Sequence, residues 1–160
     1  METKVFHMSK ICKICSQNGM LCHACNEKLK NGLITETDVA VSRAIYKISP
    51  GSSFIRSIGN GMILILADKN NATRLIGRSG RNAKLLEKNL GKKIRIIQKS
   101  EDKEMIENIL GFPIIGINVL YSKGETYRIR IQKQFQRRLR PDYISAVNAL
   151  LCKKVDVIFE

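Results

Sequence analysis

Long apolar runs are missing from this sequence. The longest is Met62 to Ala67, far short of the roughly 18 apolar residues a membrane span needs. The first residues, METKVFHMSK, lack the apolar stretch of a secretory signal peptide, so a cytoplasmic chain with no membrane partner is expected. Acids are scarce too: 14 Asp plus Glu stand against 28 Lys plus Arg, a net charge of +14 over 160 residues. Histidine occurs only twice, and neither copy sits in a credible triad. The phosphate-loop pattern G-x4-G-K-[ST] and the zinc-protease pattern H-E-x-x-H are both absent. These absences argue against an enzyme and against a small-molecule substrate. With 44% hydrophobic residues, the chain can still bury real cores.

The excess charge is concentrated. Residues 1–35 carry a net +3, residues 36–100 a net +9, and residues 101–160 only +2. Arg74, Arg78, Arg81, Lys84, Lys88, Lys92, Lys93 and Arg95 cluster around one glycine-bearing turn, and Glu87 is the sole acid between Asp68 and Ser100. A solvated helix face ordinarily mixes both signs, so this imbalance favours a polyanion, with nucleic acid as the default partner.

Cys12, Cys15, Cys22 and Cys25 form C-x2-C-x6-C-x2-C, while Cys152 stands alone. Each C-x2-C pair can place two sulfurs on one metal, and two pairs complete the tetrahedral thiolate set that zinc prefers. One structural Zn2+ is the favoured reading; iron or a redox pair are the alternatives. A short helix is expected to start near Cys22 or Cys25 and to stop at Gly32, its dipole favouring thiolate at the second pair. His23 is expected to be a bystander. Cys152 lies among apolar residues and is expected to be buried. Because the sulfurs are confined to one segment, removing the metal should destabilise residues 1–35 and leave the remainder folded.

From residue 35 the pattern becomes regular. Thr35 and Asp38 suggest a capping box before a helix with Val41, Ala44, Ile45 and Ile48 inward. A strand around Ser53–Ser57, a turn at Gly59-Asn60-Gly61 and a strand over Met62–Ala67 follow. Then come a short helix over Ala72–Ile76, the turn Gly77-Arg78-Ser79-Gly80, a helix from Arg81 to about Leu90, and a strand over Lys92–Gln98. This α-β-β-α-turn-α-β order, with R74-L-I-G-R-S-G-R-N-A-K-L-L-E-K-N-L-G-K-K-I-R-I-I97 at its centre, resembles a KH domain of the second topological type. Glycines let a backbone approach a sugar–phosphate chain closely, and a helix N-terminus favours anions. The resemblance implies a clamp on about four nucleotides of single strand. Gly77, Arg78, Ser79 and Gly80 would form the loop, and Ile76 and Ile65 would border a groove for bases.

Displacing the sequence by 61 positions aligns Lys92–Ile97 with Lys153–Ile158, and Leu86, Leu90 and Gly91 with Val147, Leu151 and Cys152. Upstream, an acidic helix over Glu101–Leu110 and strands over Ile114–Tyr121 and Glu125–Ile131, around Lys123-Gly124, complete a second unit. Its loop reads Arg138-Leu139-Arg140-Pro141: both glycines are gone, and proline removes an amide. This unit either buttresses the first or contacts phosphates through Arg137, Arg138 and Arg140, with Arg128 and Arg130 alternating along a strand face; the second reading is slightly favoured.

The expected fold class is therefore α+β: a four-cysteine zinc-knuckle or treble-clef-like module over 1–34, a KH domain over 35–100, and a KH-like domain with a degenerate loop over 101–160. This arrangement resembles the short archaeal NusA-like proteins, some of which carry an N-terminal four-cysteine module. The resemblance implies single-stranded RNA binding, linked to transcription elongation or termination, with RNA polymerase a candidate partner. The expected RNA-binding set is Arg74, Ile76, Gly77, Arg78, Ser79, Gly80, Arg81 and Lys84, with Arg137, Arg138 and Arg140. The alternative is a factor that docks on ribosomal RNA or the ribosome through the zinc module and arginines; a regulator binding single-stranded DNA is the weakest of the three.

Overall fold

The computed structural model describes residues 10–122 and 124–160, the side chain of Asn60 excepted. Residues 1–9 of the expected N-terminal module, and Lys123 of the expected hairpin connection, lie outside the described residues. The chain divides into two compact units, one up to Gln98 and one from Lys99 to Glu160. The cysteine segment belongs to the first. It contains α1 (Lys13–Gln17) and α2 (His23–Lys30). Ile11, Cys15, Cys25 and Ile34 form a small core with Val39.

Val39 belongs to α3 (Glu36–Ile48), and Thr35 caps that helix in a reciprocal box with Asp38. The buried Asp38 carboxylate also accepts hydrogen bonds from the backbone and hydroxyl of Ser57. One acid thus satisfies a helix end and ties it to β1 (Arg56–Asn60). β1 starts three residues later than its expected Ser53 and runs through Gly59 and Asn60. Asn60 pairs with Met62 around Gly61, whose φ is +76°. Only Gly61 separates β1 from β2 (Met62–Ala67), because its free choice of φ tightens the reversal. Ser53 instead donates its N–H to Asn71 Oδ1 at 3.0 Å.

Asn71 lies in α4 (Lys69–Ile76), which Asp68 caps at 2.8 Å and which exceeds its expected length by a turn. A 3-10 turn over Arg78–Gly80 leads into α5 (Arg81–Leu90) and β3 (Ile94–Gln98). β1 and β2 are antiparallel, while β2 and β3 are parallel with Ile65 opposite Ile96. Val41, Ala44 and Ile45 from α3, Leu75 from α4 and Leu86 from α5 pack on Ile63, Ile65 and Ala67. The alternation of β2 aims those three side chains at the helices.

The second unit repeats the scheme. α6 (Asp102–Leu110), β4 (Gly116–Leu120), β5 (Thr126–Ile131), α7 (Pro141–Leu151) and β6 (Lys154–Phe159) give a sheet ordered β4-β5-β6. β4/β5 are antiparallel and β5/β6 parallel, as in the first sheet. The position of α4 is taken by a 3-10 segment, Lys133–Arg138. Asp68 caps α4, but Gln132 makes no side-chain cap before this segment. Pro141 then fixes the start of α7, where a missing N–H costs no helical bond.

Cys152 corrects an expectation: it is exposed rather than buried. It caps α7 in the left-handed region at an exposed position, its Sγ donating back to Ala149 O at 3.7 Å.

Candidate functional site

The four clustered cysteines are held by two copies of one device. Cys12 and Cys22 are the N-caps of α1 and α2, and their sulfurs accept hydrogen bonds from the N–H of Cys15 and Cys25, each at 3.5 Å. The copies also interlock: the Cys12 N–H donates to Cys25 Sγ at 3.3 Å and the Cys22 N–H to Cys15 Sγ at 3.0 Å. All four sulfurs lie within 4.8 Å of one another. A tetrahedral zinc with bonds of about 2.3 Å would separate its sulfurs by about 3.8 Å, so the cluster fits a metal such as zinc.

Electrostatics divide the four thiols. The Cys25 N–H, followed by the neighbouring Cys15 and Cys25 sulfurs, pulls Cys22 down to about 7. The Cys15 N–H likewise lowers Cys12. At Cys15 the Cys22 N–H acts in the same direction, but burial and the three surrounding sulfurs outweigh it and push the thiol up to about 12. Burial also raises Cys25. An unshared charge is costly at the two inner sulfurs, and a bound cation removes that cost. His23 is exposed in the first turn of α2 and belongs to no metal-ligating cluster among the described residues.

The second feature is the turn between α4 and α5. Gly77 has φ +74° and ψ 177°, Ser79 has φ +55°, and Gly80 has φ +74°. A Cβ on Gly77 would lie 2.8 Å from Asn82 Cγ and 2.9 Å from Asn82 N. Asn82 Nδ2 donates to Arg74 O at 2.8 Å, stapling the end of α4 to the start of α5. Asn82 was missed from the sequence, where a lone amide early in a basic helix carries no signal. No side chain caps α5, so its first N–H groups and its dipole face the turn.

Arg74, Arg78, Ser79, Arg81 and Lys84 are exposed around this turn. Among the described residues, the four cations there enter no ion pair. Ile76 is 40% exposed, and Leu85, absent from the expected set, is 42% exposed. Ile65 corrects an expectation: it is 0% exposed beneath the helices and cannot border an open groove.

The arginines of the second unit are occupied differently. Arg128 Nε donates to Asp156 at 3.0 Å and Arg130 Nε to Glu160 at 2.8 Å. Arg138 lies 5.5 Å from the Phe112 centroid and 5.6 Å from that of Phe135, two rings stacked at 4.8 Å, and donates to Gly111 O at 3.3 Å. Arg137 and Arg140 are exposed. At the position of the glycine turn, Arg138 is thus held against the stacked rings of Phe112 and Phe135.

No family model matches the chain, and no curated protein does. Among solved structures, one described as "Crystal structure of APE1850" is similar over 71% of this chain and 92% of that one, with 25% identity and a TM-score of 0.58. That description names no activity. Among the described residues, no helix is long and apolar enough to cross a membrane.

Proposed function

We propose that the chain is a single-stranded RNA-binding protein built from two tandem type II KH-like units, the first of which grips the strand at Gly77-Arg78-Ser79-Gly80. The observation that carries this reading is the turn itself. Four cations free of ion pairs among the described residues surround an uncapped helix start, and the turn carries no Cβ bulk at either glycine. Phosphates fit such a surface, and Ile76 with Leu85 offers apolar contact to bases. The four-cysteine cluster holds one structural Zn2+, since four protein sulfurs leave no open position for chemistry. The protein acts as a NusA-like factor on nascent transcript, and it works by binding rather than by catalysis. Docking on ribosomal RNA is the second reading, favoured by exposed Arg137 and Arg140 in the second unit.

Binding of short single-stranded RNA at two salt concentrations tests the proposal, with wild type beside Arg78→Asp/Ser79→Asp. The double variant should lose binding, and the log–log salt slope should fall by about 0.7 for each phosphate contact removed. Unchanged binding would move the function to the cysteine segment and the second unit, and co-purifying ribosomal rather than polymerase subunits would then decide for the second reading.

A further inference from the structure

A cleft between the cysteine segment and α3 takes no part in either site described above. Its volume is about 400 Å³, inside the roughly 300–1,000 Å³ of small-ligand sites. Lys13 and Ser16 come from α1, Ser42 and Tyr46 from α3, and Pro50 and Phe54 from the loop that follows. Among the described residues, the lining has a cation and no acid. The Lys10 ammonium, 6.0 Å from the Phe54 centroid, adds a second positive charge. Gln17 Nε2 donates to the Tyr46 hydroxyl and helps to fix that ring.

Two hydroxyls in this cleft, those of Ser16 and Ser42, have a defined polarity. Ser16 Oγ donates to Cys12 O at 3.1 Å, and Ser42 Oγ donates to Asp38 O at 2.7 Å. With their protons committed to the backbone, both offer a ligand only lone pairs. The matching ligand is flat, bears donors on one edge and carries negative charge on the other. A nucleobase with an exocyclic amine, joined to its phosphate, has that form; inorganic phosphate lacks the flat, donating part.

We infer that this cleft seats one nucleotide of a single strand, with its base against Tyr46 and Pro50, its amino group toward the serine hydroxyls and its phosphate toward Lys13 and Lys10. The source of the nucleotide rests on the RNA-binding reading, whereas the chemistry of the cleft does not. Its place suits a shared strand. The wall loop is tied through Ser53 to Asn71 in the first turn of α4, and the glycine turn closes the other end of that helix. Eight helical residues span about 12 Å, so a strand held at the turn reaches the cleft within a few nucleotides.

The test has two arms, both on the full-length protein. In the first, AMP, CMP and UMP are titrated while the amide resonances of Ser42 and Tyr46 are followed. AMP and CMP should move them at lower concentration than UMP. In the second, RNA tetramers and octamers are bound to wild type, Lys13→Glu, Tyr46→Ala and Arg78→Asp/Ser79→Asp. The octamer should bind about tenfold more tightly than the tetramer, the scale of one stacked base. Lys13→Glu and Tyr46→Ala should each remove that gain and leave tetramer binding intact; Lys13 is exposed, so its variant serves even if Tyr46→Ala unfolds. No shift with any nucleotide, or an octamer gain that survives both variants, overturns the inference. Tetramer binding insensitive to Arg78→Asp/Ser79→Asp would instead sink the glycine-turn reading, and the AMP arm would still decide the cleft.

Discussion

Gly91 and Cys152 occupy the same post in two copies of one unit. Each ends the helix before the last strand, with φ 70° and ψ 18° at Gly91 and φ 54° and ψ 35° at Cys152. The second unit has the left-handed cap without the glycine suited to it. A left-handed residue with a Cβ carries about 1–2 kcal/mol of strain. Cys152→Gly should therefore stabilise the second unit by about 1 kcal/mol, and Gly91→Ala should weaken the first by a similar amount. A Cβ at Gly91 would meet nothing within 4 Å, so that loss would be conformational alone. Urea unfolding of both variants checks the pair, and a destabilised Cys152→Gly would show that the thiol's contact with Ala149 O outweighs the strain.

Removal of the metal should be felt beyond the cysteine segment. The sequence confines the sulfurs to residues 12–25, which suggested that only residues 1–35 depend on them. The structure adds Val39 to the same small core and an Arg43 Nε hydrogen bond to Cys15 O at 3.2 Å. Chelation should thus raise amide exchange along the Val39–Arg43 face of α3 as well, while β4–β6 exchange unchanged. Thiol titration gives the matching count. Cys152 should react first in the loaded protein, and the four clustered sulfurs should follow only after chelation.

The parts legible in sequence were those with strong punctuation. Gly77, Gly80 and Gly91 bracket α5, and its expected limits of Arg81 and Leu90 agree with the observed helix. Thr35 and Asp38 likewise announced α3. α1 went unread because its five residues are too few to show a helical repeat, whereas α2, with the same kind of cysteine cap, runs on to a stop signal at Gly32. The edge of β1 was misplaced because Gly59-Asn60 resembles a hairpin turn, although a single glycine makes the reversal. Ion pairing was the least legible property. Arg128 and Asp156 are far apart in sequence, and only the parallel pairing of β5 with β6 sets them opposite each other.

That pairing predicts opposite roles for two pairs of basic residues. Arg81→Ala/Lys84→Ala removes cations that enter no ion pair among the described residues, so it should weaken RNA binding and flatten the salt slope by about 1.4, two single-strand contacts. Arg128→Ala/Arg130→Ala removes guanidiniums already neutralised by Asp156 and Glu160. It should leave the slope within error and cost at most about 1 kcal/mol per exposed pair in stability. A larger slope change from the second variant would place phosphate contacts on the second sheet.

The two glycines of the turn should also respond differently to the same methyl group. At Gly80 the backbone is left-handed and a Cβ would meet nothing within 4 Å. Gly80→Ala should therefore cost about 1 kcal/mol and preserve the shape of the turn. At Gly77 the dihedrals fall in a region essentially reserved for glycine, and a Cβ would press on the Asn82 backbone nitrogen at 2.9 Å. Neither the helix start nor the Asn82–Arg74 staple can yield without moving α4 against α5. Gly77→Ala should cost about 1–3 kcal/mol and abolish RNA binding, even with every cation in place. Asn82→Ala offers the control: it removes the staple to Arg74 O while leaving Gly77 without a Cβ and its backbone unhindered. Binding by Asn82→Ala should fall less than by Gly77→Ala in a direct titration. Equal losses would mean that the staple, rather than the glycine backbone, shapes the turn.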